Sequence, residues 1–461
     1  MKPRFLRTVL FLAVAFAARG ADVTIPIEKF QLANGLRVVL SKDTTVPVVA
    51  VYMIYNVGSR AEEKGRTGFA HLFEHMMFEG SKNAPKGVHF ATVEGNGGTL
   101  NGSTHPDFTD YFEILPSNKL ATALWLESDR MRSLSINDEN LKNQKEAVKQ
   151  ERRLSFDNQP YATAIVDVWP TLMYGNWQSS HSLIGSFEDL ESSSLADVTK
   201  FFKTYYAPNN AVLAIAGDIQ PAEVKKLVET YFGDIPSQPQ PKHPDLTEPA
   251  GFKPKSDTYK DQHAQVPGVV IGFPGPKRHS PDFYALNMID AILTAGDSAR
   301  LRQDLVKGKK SVIQYEANLG WPFASTLDYR DPEAYAIFVL YNPNFQADDI
   351  VNQLQEEIAK LQNTPVSDAE LNRVKAQLRA NQVQSLQSSL SRARTLAQYE
   401  VTDNNAGLIN TQLESMLAVT PAQIQAAAKK YLVPEKRAVL KIQPAPQGAP
   451  GAANPEKKEG N

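Results

Sequence analysis

The segment that most constrains this chain is a short apolar stretch, GFAHLFEHMMFEG, at residues 68–80. If it forms a helix, its two histidines, His71 and His75, lie one turn apart on the same face, and Glu74 lies beside the second. The other side chains from 69 to 78 are apolar and cover most of the circumference, which is typical of a buried helix. Three buried polar groups without partners would cost roughly 2 kcal/mol or more each. The segment therefore requires something that satisfies these side chains.

A metal ion is the simplest partner for this pattern. A single buried histidine is more often a hydrogen-bonded core residue than a ligand. Two histidines at positions i and i+4 that bracket a glutamate are instead typical of a metal-binding helix, and the chain holds only 8 histidines in 461 residues. We therefore expect His71 and His75 to bind a metal, in a helix with Thr67 as N-cap and Gly80 at its end.

Length and composition predict a globular protein of two or more domains. The chain of 461 residues exceeds what one core normally serves, and its apolar and charged fractions of 42% and 22% are ordinary. The 49 basic and 51 acidic residues nearly balance and include no long basic run, which argues against a nucleic-acid partner. No stretch after the N-terminal region reaches the length of a membrane span.

The first twenty residues have the pattern of a secretory signal peptide. Lys2, Arg4 and Arg7 precede an apolar run at residues 9–18 that ends in small residues. Cysteine is absent from the chain, which excludes disulfides and a lipid-modified cysteine at the cleavage site. We expect residues 1–20 to be removed and the mature, soluble chain to be periplasmic or secreted in a bacterium.

A weak internal repeat indicates two halves of similar architecture. Residues 194–208 predict a capped helix followed by Tyr, Pro and an apolar strand at 211–213, and residues 420–434 precede a strand at 438–440 in the same order. A proline-rich stretch without apolar periodicity separates the halves and is typical of an extended linker. The predicted organisation is a signal peptide (1–20), an N-terminal metal-binding domain (22–235), a linker (236–257), a similar C-terminal domain (258–443) and a disordered tail (444–461).

The metal site needs a third ligand from elsewhere in the chain. Catalytic zinc usually has three protein ligands, of which one is often a carboxylate. The predicted helix at residues 138–154 offers Glu146 and Glu151. At about 100° per residue, Glu151 lies about 60° from the apolar stripe, whereas Glu146 lies about 160° away. Glu151 is therefore the better candidate, although an ion pair with Arg152 or Arg153 is the alternative.

The chain resembles the pitrilysin/insulinase family of zinc metallopeptidases, the inverted zincins. The motif that carries this resemblance is His71, Glu74 and His75, followed by Glu151 in EAVKQERRLSFDNQPY. The chain is most similar to the zinc-bearing subunit of the branch that contains mitochondrial processing peptidases and their two-subunit bacterial relatives. The likeness runs through NGLRVVL, GSRAEEKGRTGFAHLFEHMMFEGS, GGTLNGST and YYAPNNAVLAIAGD. It implies an α+β fold of two similar halves, each a mainly antiparallel sheet packed with helices.

The resemblance also implies one Zn²⁺ per chain, held by His71, His75 and Glu151, with Glu74 as general base. Zinc would lower the pKa of its bound water and polarise the peptide carbonyl, while Glu74 takes the proton of the water and delivers it to the leaving amine. The implied function is that of a zinc metalloendopeptidase that cleaves peptides or unfolded polypeptides in a chamber formed with a second chain.

The same resemblance assigns substrate binding to the strand around Asn101, Gly102 and Ser103. This strand would follow a glycine-rich loop and pair with an extended substrate by strand addition. The residues themselves leave an alternative open, because residues 94–104 with four glycines and two asparagines also suit a long flexible turn.

One pair of positions departs from the family's pattern. Active members carry an Arg and a Tyr seven residues apart in the second half, and Val306 and Ile313 align with these places. Neither side chain donates a hydrogen bond to a transition state. In the two-subunit branch, zinc and the Arg/Tyr pair lie on different chains. We therefore predict a heterodimer with a homologous subunit that carries the pair; a homodimer is the alternative.

Two rival functions remain. The first is a non-catalytic polypeptide-binding or scaffold subunit of the same fold, against which the intact Glu74 argues, because a scaffold does not need a base beside its metal ligands. The second is a metal-dependent hydrolase of non-peptide substrates, which would not cleave unstructured peptides.

Overall fold

The structure is a computed structural model, and it describes residues 24–446. The predicted signal peptide at 1–20 lies outside these residues, as do residues 447–461 of the predicted tail at 444–461, whereas Pro444 is the last residue of a strand. Two mainly antiparallel sheets packed with helices form the frame of the described chain, which confirms the predicted α+β fold class. Among the residues described, no helix has both the length and the apolar composition needed to cross a membrane.

The first sheet is built from six strands of the described chain. They are β1 (Glu28–Gln31), β2 (Arg37–Lys42), β3 (Val48–Tyr55), β4 (Thr99–Thr104), β5 (Thr109–Pro116) and β6 (Ala211–Gly217). Their order is β1-β2-β6-β3-β5-β4, in which β2 and β6 run parallel and the other neighbours antiparallel. The connection between β1 and β2 runs through Asn34 and Gly35, and Gly35 has the positive φ of 91° that such a tight turn requires.

Helices pack on one face of this sheet around a continuous apolar core. They are α1 (Phe69–Met76), α2 (Val88–Gly95), α3 (Leu120–Ser133), α4 (Asp138–Glu151), α7 (Phe187–Ser192), α8 (Leu195–Tyr205) and α9 (Pro221–Phe232). Two short helices between α4 and α7, α5 (Trp169–Met173) and α6 (Trp177–Ser180), contribute no residue to this core. A π-helical turn, Arg152–Asp157, continues α4, and another, Ala164–Val168, leads into α5. Alternate residues of the strands, such as Val51 and Leu213, face the helices in this core.

The second sheet repeats the arrangement with five strands. They are β7 (Ser256–Asp261), β8 (Gly268–Phe273), β9 (Val312–Leu319), β10 (Tyr335–Tyr341) and β11 (Ala438–Pro444), in the order β7-β11-β8-β10-β9. The helices of this half are α10 (Pro281–Thr294), α11 (Ala347–Asn363), α12 (Asp368–Ser385), α13 (Ser389–Asp403), α14 (Gln412–Leu417) and α15 (Pro421–Tyr431). A π-helical segment, Leu301–Gly308, precedes β9.

The internal repeat of the sequence corresponds to equivalent elements of the two halves. Helices α8 and α15 both begin with a capping box, formed by Ser194 with Asp197 and by Thr420 with Gln423. The strands that follow them, β6 and β11, each run parallel to one neighbour and antiparallel to the other. The two sheets therefore share one topology, to which the first half adds β1.

Each half contributes a helix that packs against the sheet of the other half. Helix α13 of the second half covers the opposite face of the first sheet, where Leu396 joins a core cluster with Tyr52. In return, Trp169 of α5 packs against Val270 of β8 and Leu440 of β11. Each sheet is thus buried on both faces, and each half contributes to the core of the other.

The predicted linker has no helix or strand from residue 236 to 255, and β7 begins at Ser256. It is nevertheless attached to the first half, because the carboxylate of Glu248 accepts hydrogen bonds from the backbone N–H groups of Gly175 and Asn176 at 2.7 and 3.2 Å. The domain bounds stay a prediction.

Candidate metal centre

Helix α1 is the helix that the histidine motif predicts, although it starts and ends differently. It ends at Met76 rather than near Gly80, and its N-cap is Gly68, which has a left-handed φ of 82°. A Cβ on Gly68 would lie 2.6 Å from a backbone oxygen, so only glycine suits this position. The prediction of Thr67 as N-cap is wrong, because its N–H and hydroxyl donate instead to Asp189 Oδ2 at 3.0 and 2.5 Å.

The helix directs its two histidines to one place. Its apolar side packs into the first core, where Phe73 stacks on Phe201 of α8 with ring centroids 5.0 Å apart. This packing leaves His71 and His75 on the remaining face, with their ring centroids 4.9 Å apart. His71 is only 6% exposed, whereas His75 is half-buried.

Glu151 reaches the two histidines from the last residue of α4. Its Oε2 lies 3.5 Å from His71 Nε2 and 3.1 Å from His75 Nε2. The ligand atoms of the three residues all lie within 4.8 Å of one another, and no other group of three or more such side chains converges in this way among residues 24–446. Two imidazole nitrogens and one carboxylate oxygen form a donor set that suits zinc with an open fourth position.

The alternative partners of Glu151 are engaged elsewhere. Arg152 forms ion pairs with Asp157 and Asp167, with nitrogen–oxygen distances of 3.3 and 2.6 Å. The guanidinium of Arg153 packs over the ring of Phe187, 4.9 Å from its centroid. The carboxylate of Glu151 is therefore left to the two imidazoles.

The protonation of these side chains suits a metal. Burial, together with the neighbouring His75, lowers the pKa of His71 to about 4, so its imidazole is neutral at pH 7. Burial alone would lower the pKa of His75, but its hydrogen bond with Glu151 raises it above its ordinary value. The same hydrogen bond lowers the pKa of Glu151, which keeps the carboxylate ionised. A metal would displace the proton that His75 and Glu151 share.

Glu74 is held against the outermost strand of the first sheet. Its Oε2 accepts a hydrogen bond of 2.6 Å from Thr104 Oγ1 on β4. Gly102 on the same strand leaves room for the side chain, because a Cβ there would lie 3.2 Å from Glu74 Cγ. Burial raises the pKa of Glu74, and the hydrogen bond from Thr104 partly opposes this shift. A carboxylate with a raised pKa suits proton transfer near neutral pH.

The role of Thr104 could not be identified from the sequence. Gly102 and Thr104 lie two residues apart and share one face of β4, which is the only local signal. That this face meets Glu74, thirty residues earlier in the chain, depends on how α1 crosses the strand.

The glycine-rich segment is not a long flexible turn. Helix α2 ends at Gly95, and β4 begins at Thr99. Asn101, Gly102 and Ser103 therefore lie on β4, which pairs with β5 on one side. Within the described part of the chain, no strand pairs with its other side.

The side chains of β4 differ in whether they are free to contact another molecule. Asn101 is exposed, whereas the hydroxyl of Ser103 donates to Asp110 Oδ1 and lies 3.2 Å from His105 Nε2. The backbone groups of β4, rather than the Ser103 hydroxyl, are thus free to meet another strand.

Val306 and Ile313 lie just before and within β9, the strand of the second sheet that corresponds to β4 of the first. Val306 is in the π-helical segment and packs partly buried against the second core. Ile313 is the second residue of β9, the outermost strand of the second sheet, and is 53% exposed. Both side chains are hydrocarbon and offer no hydrogen bond.

Two family models match the chain. One is described as Insulinase (Peptidase family M16) and matches residues 37–185, and the other is described as Peptidase M16 inactive domain and matches residues 192–378. Together these ranges cover well over half of the chain, and the chain belongs to peptidase family M16. The three candidate metal ligands, His71, His75 and Glu151, lie within residues 37–185, as does Glu74.

Proteins similar to this chain are named as zinc proteases and processing-peptidase subunits. The zinc protease PqqE of Helicobacter pylori is 26% identical over 442 residues, which are 95% of this chain and 98% of that protein. The probable mitochondrial-processing peptidase subunit beta of Schizosaccharomyces pombe is 27% identical over 395 residues, 83% of this chain and 84% of that protein.

Solved structures share the fold over the same extent. A protease from Helicobacter pylori has a TM-score of 0.84 at 25% identity and covers 91% of this chain and 100% of its own. The periplasmic protease PqqL from Escherichia coli has a TM-score of 0.73 at 18% identity, and the match covers 92% of this chain but 48% of that longer one. The latter likeness concerns the fold alone.

Proposed function

We propose that the chain is a zinc-dependent metalloendopeptidase that hydrolyses peptide bonds in peptides or unfolded polypeptides. The observation that carries this proposal is the convergence of His71, His75 and Glu151 within 4.8 Å of one another, beside the partly buried carboxylate of Glu74. The names of similar proteins, among them a zinc protease, support it.

The residues of the site have distinct tasks in this reaction. When zinc is bound, it polarises a substrate carbonyl and makes water a nucleophile near neutral pH. Glu74 moves the proton: Thr104 holds its Oε2, so its Oε1 takes the proton from the attacking water and passes it to the leaving amine. His71, His75 and Glu151 hold the ion with one negative charge among them, which leaves the site positive and favours the developing oxyanion.

Strand β4 would receive the substrate. Its outer edge meets no strand in the described chain, and Asn101, Gly102 and Ser103 lie along it, next to the strand residue that holds Glu74. An extended peptide that pairs with this edge brings its backbone carbonyls past the metal site. Only an unfolded segment can pair in this way, which favours peptides and unfolded polypeptides over folded proteins.

A homologous partner subunit would complete the site. Val306 and Ile313 offer no donor to the transition state, so we infer that another chain supplies an Arg and a Tyr. The name of a relative as a subunit of a processing peptidase supports this inference, as does a fold relative about twice as long as this chain. A heterodimer is the proposed form, and a homodimer is the alternative.

The proposed place of action is the periplasm or the medium. It depends on the signal-peptide pattern of residues 1–20, and a fold relative named as a periplasmic protease is consistent with it. In the mature chain, we assign the metal site to the domain 22–235 and the same fold without metal ligands to 258–443.

The second candidate is a non-catalytic subunit of the same fold. The missing Arg and Tyr and the match of residues 192–378 to an inactive domain favour it. It does not account for Glu74, whose carboxylate is positioned by Thr104 beside the metal-type residues.

Zinc content and peptide hydrolysis, measured for the mature chain and for Glu74→Gln with and without a candidate partner subunit, distinguish the two. We expect the variant to keep its zinc and to lose activity by about 100-fold or more, since general acid–base groups contribute about 10²–10⁴-fold. The partner should raise the activity of the unaltered chain. Equal hydrolysis by both proteins would contradict the proposal.

A further inference from the structure

The first turn of α1 is held by a carboxylate from outside the helix. Gly68, its N-cap residue, has no side chain that could serve as a cap. Glu62 takes this role, because its Oε2 accepts a hydrogen bond from Gly68 N–H at 3.0 Å and its Oε1 from Ala70 N–H at 2.9 Å. Both donors belong to the N–H groups that have no partner inside a helix. Ala70 immediately precedes His71, so the contact fixes the backbone next to a proposed ligand.

Glu62 is itself held by His181. The Nε2 atom of His181 lies 3.0 Å from Glu62 Oε2, and its Nδ1 lies 2.9 Å from the carbonyl oxygen of Trp177. The imidazole stacks on the Trp177 indole with ring centroids 4.1 Å apart and an angle of 8°. Burial alone would lower the pKa of His181, but the hydrogen bond with Glu62 raises it, which favours an imidazolium with both N–H groups donating.

Burying this ion pair costs desolvation free energy, so stability of the fold alone does not explain its presence. Both side chains are almost completely buried, and a buried ion pair is often no more stabilising than apolar residues of the same volume. The pair instead orients helix α1. Its two carboxylate oxygens accept hydrogen bonds from two N–H groups of the first turn, and these contacts set the position and rotation of the helix. Burial raises the pKa of Glu62, a shift that its hydrogen bonds with His181, Ala70 and Gly68 oppose, and its ionised carboxylate also complements the helix dipole.

The metal centre depends on that position. His71 and His75 come from α1, whereas Glu151 comes from α4, and their nitrogen–oxygen distances are 3.5 and 3.1 Å. A small rotation or slide of α1 changes both distances at once. Groups that orient the ligands of a metal site commonly change its affinity.

We propose that Glu62 and His181 are positioning residues of the metal centre, which hold α1 where His71 and His75 converge with Glu151 and thereby set the affinity for zinc. They act through the backbone of the first helical turn. This inference rests on the metal site of the proposed function and does not require peptidase activity.

The test is the dissociation constant for zinc, measured by competition with a chelator, together with the melting temperature of each zinc-free protein. We expect Glu62→Gln to weaken zinc binding about 10- to 100-fold, the range typical of groups that orient ligands. His181→Gln should weaken it in the same direction by a smaller factor. The matched control is Glu63→Gln, the same change at the adjacent exposed residue, which should stay within about twofold of the unaltered chain.

A dissociation constant of Glu62→Gln equal to that of the control overturns the proposal, even if the zinc-free variant melts at a lower temperature, because the pair would then support only the fold. If Glu62→Gln does not fold, His181→Gln decides in the same way. An unaltered chain that binds zinc but cleaves no peptide, even with its partner subunit, leaves this test intact and refutes the proposed function. An unaltered chain that binds no zinc refutes both.

Discussion

Helices α1 and α10 occupy corresponding places in the two halves, since each follows the central strand of its sheet, β3 or β8. Both carry polar side chains that are at least partly buried, yet only α1 carries histidines. In α10 this group is the partly buried Asp290, whose Oδ1 accepts a hydrogen bond of 3.3 Å from the Tyr335 hydroxyl, and whose pKa burial raises to about 7. This single carboxylate is thus satisfied inside its own half. In the first half, His71 and His75 of α1 instead face Glu151 of α4, and the ligand atoms of these three residues all lie within 4.8 Å of one another.

The outermost strands of the two sheets, β4 and β9, also differ in the polar contacts that their side chains make. On β4, Gly102 and Thr104 leave room for Glu74 and hold it. On β9, the exposed Ile313 presents only hydrocarbon. One topology is therefore used twice, and the two copies differ in the side chains of one helix and one edge strand.

The largest expected effect comes from breaking the convergence of His71, His75 and Glu151, which has no counterpart in the second half within residues 24–446. Glu151→Gln keeps the shape of the side chain but leaves two imidazoles, which do not hold zinc firmly. We expect the purified variant to contain almost no zinc after dialysis against a chelator, and to be inactive. The control is Glu146→Gln on the same helix, where the exposed carboxylate pairs with Lys149 at 2.5 Å. Zinc retained by Glu151→Gln at the level of this control would show that Glu151 is not a ligand.

A smaller effect should follow from removing the hydrogen bond that distinguishes β4 from β9. Thr104→Val keeps the volume and removes the hydroxyl that donates to Glu74. A hydrogen bond to a charged group is worth about 1.5–3 kcal/mol, so we expect kcat to fall about 10- to 100-fold with zinc content unchanged. Thr104→Ser should recover most of the activity, and Thr99→Val, at an exposed position of the same strand, serves as the control. If kcat is unaltered in Thr104→Val, the hydrogen bond from β4 does not contribute to the action of Glu74.

The smallest effect concerns the second half, where the partly buried carboxylate of Asp290 lies on α10, away from the proposed metal centre. Asp290 has its pKa raised to about 7 in the folded chain, above its ordinary value when unfolded. The folded state therefore holds the proton more tightly, and its contribution to stability is lost as the pH rises through about 7. Asp290→Asn has no proton to lose, so its melting temperature should fall less between pH 5 and pH 8 than that of the unaltered chain. Zinc content and activity should not change; a loss of zinc would give α10 a role in the metal centre.

The sequence was most informative where a pattern is local. The spacing of His71 and His75 predicts their shared face, and the helical phase of Glu151 distinguishes it from Glu146, because both depend only on helix geometry. The capped helices before β6 and β11 likewise reveal the repeat. These features could be identified without any knowledge of tertiary structure.

The contacts that hold the site could not be predicted in this way. The bond from Thr104 to Glu74 joins residues 30 apart, and the bond from His181 to Glu62 joins residues 119 apart. Each depends on the packing of whole elements. The N-cap prediction failed at Thr67 for the same reason, since Asp189 of α7 competes for its hydroxyl.

The most direct test of the central claim is the anomalous difference map of a crystal grown with zinc, recorded at the zinc absorption edge. We expect one strong peak between His71 Nε2, His75 Nε2 and the Glu151 carboxylate, and no comparable peak beside α10 or β9 of the second half. A map without a peak at these three side chains, or with an equal peak in the second half, would contradict this expectation.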